Sequence, residues 1–259
     1  MKSLPLIGPS LVGYVITAAI RDKLIIGICV LLAAAVSLSV FLGSAAITEQ
    51  DQFVAVFSAG SVRILNIVGL VLFIVFFIRR SFETRDIEFM LSRPVGRTQL
   101  VLSYAAGFSL IATLMGVISG LCIMALSPHL VSGGHALWIL SLVVENVIMV
   151  NVALFFSMIL TSAASCTFAT FGFYVLARMM SQILGIIDSG KNAVDLKILE
   201  MIMQAISSVM PRLDLLTQTS WLVYGPDENI GPAFILMQGI IYSSLILLAA
   251  LIDMRRRQF

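Results

Sequence analysis

Six long apolar runs, parted by short polar interruptions, dominate the chain. They cover residues 24–46, 57–78, 100–126, 136–159, 166–187 and 232–252, and each matches the roughly twenty helical residues that cross a ~30 Å hydrocarbon core. The pattern predicts an all-α polytopic membrane protein with six transmembrane helices, a single domain over residues 1–259. Ahead of the first run, Leu11–Ile20 is apolar but reaches only about 15 Å as a helix, too short to cross. Residues 1–23 are therefore expected to form an interfacial helix lying on the membrane. A secretory leader fits less well, because Gly8-Pro9 interrupts its apolar part and another long apolar run follows at once. Residues 188–231 make the longest polar interval. Within it Lys197, Glu200, Gln204 and Ser207 or Ser208 fall on one helical face, and Ile198, Leu199, Met201, Ile202, Ala205, Ile206 and Val209 fill the other. An amphipathic helix is expected there, apolar face down on the outer surface and stopped by Pro211, serving either substrate exit or packing alone.

Residues 79–97 break the apolar pattern most sharply, with eight charged residues in nineteen positions. Both flanks can span, so the stretch is a short bridge on one face of the membrane, and its arginines place that face in the cytoplasm. Phe82, Ile87, Phe89, Met90 and Leu91 alternate with Glu83, Arg85, Asp86 and Glu88, which suits a short amphipathic helix. Pro94 lacks an amide hydrogen and disfavours helix at Arg93, so the helix should stop near Ser92 and the chain turn back through Pro94-Val95-Gly96-Arg97. Such a rod is a surface for a cytoplasmic protein to push on; an ordinary solvated loop satisfies the same pattern.

Glu83-Thr84-Arg85-Asp86-Ile87-Glu88 followed by Leu91-Ser92-Arg93-Pro94-Val95-Gly96-Arg97 resembles the first cytoplasmic loop of type-2 ATP-binding-cassette (ABC) exporter permeases. The likeness is detailed over about twenty residues and supported elsewhere only by the order of spans. It departs from many relatives at Ser103-Tyr104, where they carry Gly-Lys. The resemblance implies a transmembrane permease domain working as a homodimer or heterodimer, with an N-terminal elbow helix and short helices between spans 5 and 6. It also implies a cytoplasmic coupling helix on which a separate ABC ATPase docks. Phe82, Glu83, Arg85, Asp86, Ile87, Glu88, Phe89, Arg93, Pro94 and Arg97 would carry that coupling. ATP and magnesium would sit on the partner, and this chain would bind no cofactor itself. Membrane lipids, and an accessory or substrate protein outside, are the other expected partners; nucleic acid is not.

Composition supports the membrane reading: 59% of the residues are hydrophobic and 12% charged, against nearer half and a quarter in soluble domains. Mean hydropathy is +1.05. Charge placement says more than the net +2. With both termini inside, Lys2, Arg21, Lys23, Arg79, Arg80, Arg85, Arg93, Arg97 and Arg255, Arg256 and Arg257 are cytoplasmic. Arg63, Arg178, Lys191, Lys197 and Arg212 are the remainder, so eleven of 16 basic residues fit a multi-pass protein of the cytoplasmic membrane with both ends inside.

Ionisable groups at membrane depth are costly and face a partner or a cavity. Arg63, Glu145 and Arg178 fall at matching depths on the outer side when ~1.5 Å per residue is counted from the outer ends of spans 2, 4 and 5. Glu145 is expected to pair with Arg178 or Arg63, with Asn66, Asn146 and Asn151 nearby. A static pair that fixes helix register and a polar lining of a translocation path both fit. Ala112, Gly116 and Gly120 form a small-residue row on span 3 that lets two helix backbones approach, within the subunit or at a dimer seam.

Other motifs carry less. Gly185 to Asn192 nearly spells a P-loop, but Asn192 stands where Ser or Thr must hold magnesium, and no strand precedes it. His129 and His135 have no third ligand at zinc spacing. Cys29, Cys122 and Cys166 show no CxxC spacing and suit core filling. Met179, Met180, Met201, Met203 and Met210 suit apolar anchoring better than soft-metal binding. No Gly-x-Ser-x-Gly elbow supports hydrolase chemistry. An ABC exporter permease without enzymatic activity of its own is the expectation; a secondary transporter, with discontinuous helices and midplane charges, or a non-transporting scaffold is the alternative.

Overall fold

A computed structural model describes residues 7–44, 49–84, 96–126, 133–189, 210–226 and 230–256, and the described residues are helical with no strand. In chain order the helices are α1 (Pro9–Arg21), α2 (Leu24–Gly43), α3 (Gln50–Glu83), α4 (Arg97–Leu126), α5 (Gly133–Ile159), α6 (Ala163–Arg178), α7 (Met180–Ser189), the single turn α8 (Trp221–Tyr224) and α9 (Pro232–Arg256). Five of them, α2, α3, α4, α5 and α9, are long and apolar enough to cross a membrane.

The centre of the bundle is α5. About two thirds of its most apolar stretch is buried inside the protein (67%), against 17% for α2 and 11% for α9. Helices α3, α4, α6 and α9 all pack on α5, which leaves α2 and α9 to present apolar surface outward to lipid. Close approach of α4 to α5 depends on two glycines. A Cβ on Gly116 would stand 2.9 Å from Val143 Cγ2 and 3.1 Å from Val143 Cα, and one on Gly120 would stand 2.5 Å from Ile139 Cγ1. The row therefore faces α5 within the subunit, and Ala112 is fully buried beside it. Ile139 is β-branched and stiff in a helix, so Gly120→Ala should force the helices apart and lower stability by about 1–3 kcal/mol. Gly60→Ala is the control, because nothing lies within 4 Å of its Cβ position. Unfolding midpoints in detergent compare the two; equal midpoints would mean α4 and α5 have room to spare.

Helix α1 begins with Pro9 at its first turn, where the fixed φ suits a helix start. The Gly8 amide donates to Ser103 Oγ (2.9 Å), and Val15 packs where a Gly107 side chain would otherwise stand. The helix is thus docked on α4, and Lys23, at φ 54°, reverses the chain into α2. An aromatic group fastens this end: Phe77 of α3 lies 5.8 Å from Tyr14, 5.9 Å from Tyr104 and 5.6 Å from Phe108.

Several expectations change. The run at 166–187 is two helices, α6 and α7, parted at Met179, whose φ and ψ (−92°, 4°) leave the helical region. Hydropathy does not register that break, because apolar residues run through it from Val175 to Met180 with Arg178 the one interruption. Phe82 and Glu83 close α3 instead of opening a separate rod, since apolar packing of α3 continues past Ile78 to Ser81. Helix α5 starts at Gly133, three residues ahead of the apolar run at 136–159. Arg85, Asp86, Ile87, Glu88, Phe89, Arg93 and Pro94, the outer helix expected at 197–209, His129 and the end of the P-loop-like stretch from Gly190 on lie outside the described residues.

Candidate functional site

The most polar part of the bundle gathers around an irregular segment, Met210–Pro226, wedged against α3, α5 and α6. It contains a 3-10 turn at Leu213–Leu215 and the one-turn α8. Leu213, Leu216, Thr217, Trp221 and Leu222 are buried. Counted along the helices, Arg63 is about 20 Å from the start of α3 and Glu145 about 18 Å from the start of α5. Non-helical backbone at such depth is tolerated only where protein groups satisfy it.

Here charged side chains do so. Arg178, the last residue of α6, donates through Nη1 to the carbonyls of Leu213 (2.6 Å) and Leu216 (2.7 Å), and through Nη2 to that of Thr217 (3.4 Å). The same Nη1 lies 3.5 Å from Glu145 Oε1, a weak ion pair beside short bonds to backbone. Arg63 Nη1 donates to the Thr217 carbonyl at 2.9 Å. Glu145, fully buried, accepts from the Thr217 hydroxyl through its other oxygen, and the Tyr174 hydroxyl faces the same carboxylate.

Thr217 is the focus of these bonds. Its φ of 48° puts a β-branched residue in the left-handed region, a conformation that costs about 1–3 kcal/mol and persists only where its surroundings fix it. Its amide donates to Ser141 Oγ (2.6 Å), so its amide, carbonyl and hydroxyl are all engaged. A second clamp joins the segment to α7: Arg212 Nη2 donates to Asp214 Oδ2 (3.0 Å) and to Ser181 Oγ (3.1 Å).

Arg63, Glu145 and Arg178 thus meet, whereas the three asparagines go elsewhere. Asn66 and Ser119 exchange hydrogen bonds (2.9 and 3.1 Å) between α3 and α4. Asn151 donates to the Val147 carbonyl (2.8 Å) and reaches Ser109 at 3.5 Å. Asn146 lies against Gly116, and its amide has no hydrogen-bond partner among the described residues. Thr217, Ser141 and Tyr174 escape the sequence reading. Ser141 lies one turn before Glu145 on the same face and was in principle visible; nothing local marks Thr217.

At the opposite end of α3, Arg79 donates to the carbonyls of Ser157 and Thr161 (2.8 Å for Thr161) and stacks on Phe82 with 4.8 Å to the ring centroid. A cation is favoured at a helix C-terminus, so Arg79 ties the end of α3 to the end of α5. Arg97 opens α4. Among the described residues no group of three or more His, Cys, Asp or Glu is placed to hold a metal.

Five helices long and apolar enough to cross a membrane, packed around a polar wedge, mark a multi-pass membrane protein that is helical throughout the described residues. No protein-family model matches the chain, and no curated protein matches it.

Proposed function

We propose that the chain is the permease subunit of an ATP-driven exporter of the type-2 ABC class, with ATP hydrolysed by a separate cytoplasmic subunit. The observation that carries the reading is the resemblance over Glu83 to Arg97, which occupies the short link between the end of α3 at Glu83 and the start of α4 at Arg97. A docked ATPase pressing on that link would move both helices, and α3 and α4 both pack on the central α5. Helices α6 and α7 together would make the fifth of six crossings, bent at Met179. Both termini then fall on the arginine-rich side, in the cytoplasm. A second permease copy completes the transporter.

The test is affinity purification from native membranes. A soluble chain with a true P-loop should co-purify, and the double substitution Glu83→Lys and Glu88→Lys should remove it while the permease stays folded. Purified permease that brings no such ATPase, with the wild-type sequence, would sink the assignment.

The break at Met179 and the charged, non-helical wedge favour a second reading, a secondary transporter, in which discontinuous helices and deep charges form the substrate site. That protein would work without an ATPase partner and respond to an ion gradient, so the same purification separates the two.

A further inference from the structure

A cavity of 390 Å³ opens between the last turns of α1 and α3, at the end of the bundle where the apolar parts of both helices stop. Tyr14 and the buried Phe77 line it, their rings 5.8 Å apart, together with the exposed Arg21, Asp22 and Arg80. Both guanidiniums are exposed, and among the described residues neither makes a hydrogen bond or ion pair. Arg79, the neighbour of Arg80, is by contrast committed to carbonyls at the end of α5. Ile20, one residue before Arg21, is 61% exposed, and Phe76, one turn before Arg80, is 59% exposed. The rim is therefore cationic where the adjoining surface is apolar, which is the order of a lipid's phosphate and chains.

We propose that this cavity binds the headgroup of an anionic glycerophospholipid. Two guanidiniums against one carboxylate leave a net charge of +1, which matches a phosphodiester. The Asp22 carboxylate would repel a second negative charge on a phosphomonoester, and it would accept hydrogen bonds from headgroup hydroxyls. Basic pockets between helices at the membrane surface hold lipid headgroups by this chemistry, each arginine adding about fivefold in affinity. The site would fix α1 to α3, which otherwise meet mainly through Tyr14 and Phe77. The proposal does not depend on whether the protein is a transporter.

Native mass spectrometry of the detergent-purified full chain, titrated with phosphatidylglycerol or phosphatidylcholine, tests it. Phosphatidylglycerol should be retained at least about fivefold better. Arg21→Gln with Arg80→Gln should abolish that preference, Arg21→Lys with Arg80→Lys should keep most of it, and millimolar inorganic phosphate should not displace the lipid. Equal retention of the two lipids, or a preference unchanged in the glutamine variant, would overturn the proposal as annular binding. Displacement by inorganic phosphate would overturn it in favour of a free-anion site. The substituted side chains are exposed, and circular dichroism checks that each variant keeps its helices.

Discussion

Arg178→Met is expected to lower stability by about 3–5 kcal/mol, the cost of leaving a buried charge without its partner. The substitution keeps most of the side-chain volume, so the loss is polar. It strips donors from the carbonyls of Leu213, Leu216 and Thr217 and leaves the fully buried Glu145 carboxylate with hydroxyl partners and the more distant field of Arg63. Glu145→Gln should cost less, because the amide oxygen can still accept from Arg178 while its NH2 donates to the Thr217 hydroxyl, and no buried charge is left behind. Arg178→Met combined with Glu145→Gln should be less damaging than the sum of the two, as residues in one network couple. Trp221 reports the event: it and Trp138 are the chain's 2 tryptophans, and both are buried. Release of the segment should shift Trp221 emission to the red and open it to aqueous quenchers, while a Trp138→Phe background isolates the signal. If Arg178→Met unfolds at the wild-type midpoint with unchanged emission, the clamp does not hold the segment. If Glu145→Gln folds as the wild type does, the charge of this carboxylate is not what holds the segment.

Gly134→Ala is expected to cost about 3 kcal/mol, at the upper end of what overpacking does. A Cβ at Gly134 would collide with the carbonyl oxygen of Trp221 and stand 3.4 Å from Pro226 Cδ. The obstacle is backbone, which cannot rotate away as a side-chain tip does, so either α8 lifts or the first turn of α5 unwinds. Its neighbour Gly133 has nothing within 4 Å and makes Gly133→Ala the matched control. The same tryptophan signal applies. Because Gly134 and Arg178 restrain one segment from two sides, their combined effect should fall short of additivity. A midpoint for Gly134→Ala equal to that of Gly133→Ala would show that α8 is not seated against α5.

These two sites mark the division between what was legible in the residue pattern and what was not. Glu145 and Arg178 stood out because a charge inside an apolar run is visible one residue at a time. Their strongest partners did not. Leu213, Leu216 and Thr217 contribute backbone carbonyls, which every residue has, and they arrive from 35 or more positions away along the chain. The asparagines were misplaced for a related reason. An amide side chain takes whatever polar group packing brings within reach: Ser119 for Asn66, the Val147 carbonyl and Ser109 for Asn151, and none among the described residues for Asn146. The glycine row announced a close helix contact, and only packing could name α5 as the helix it serves.

The residue order alone determined where the long apolar segments fall and where charge interrupts them, because transfer of a side chain from water to hydrocarbon is nearly additive along the chain. It also carried the motif at Glu83 to Arg97. Tertiary structure decided that α6 breaks at Met179, that α5 sits at the centre, and that residues 210–226 fold inward around Thr217. Those outcomes turn on which buried polar group finds which partner, a question of three-dimensional proximity that hydropathy, a measure of solvent preference, does not encode.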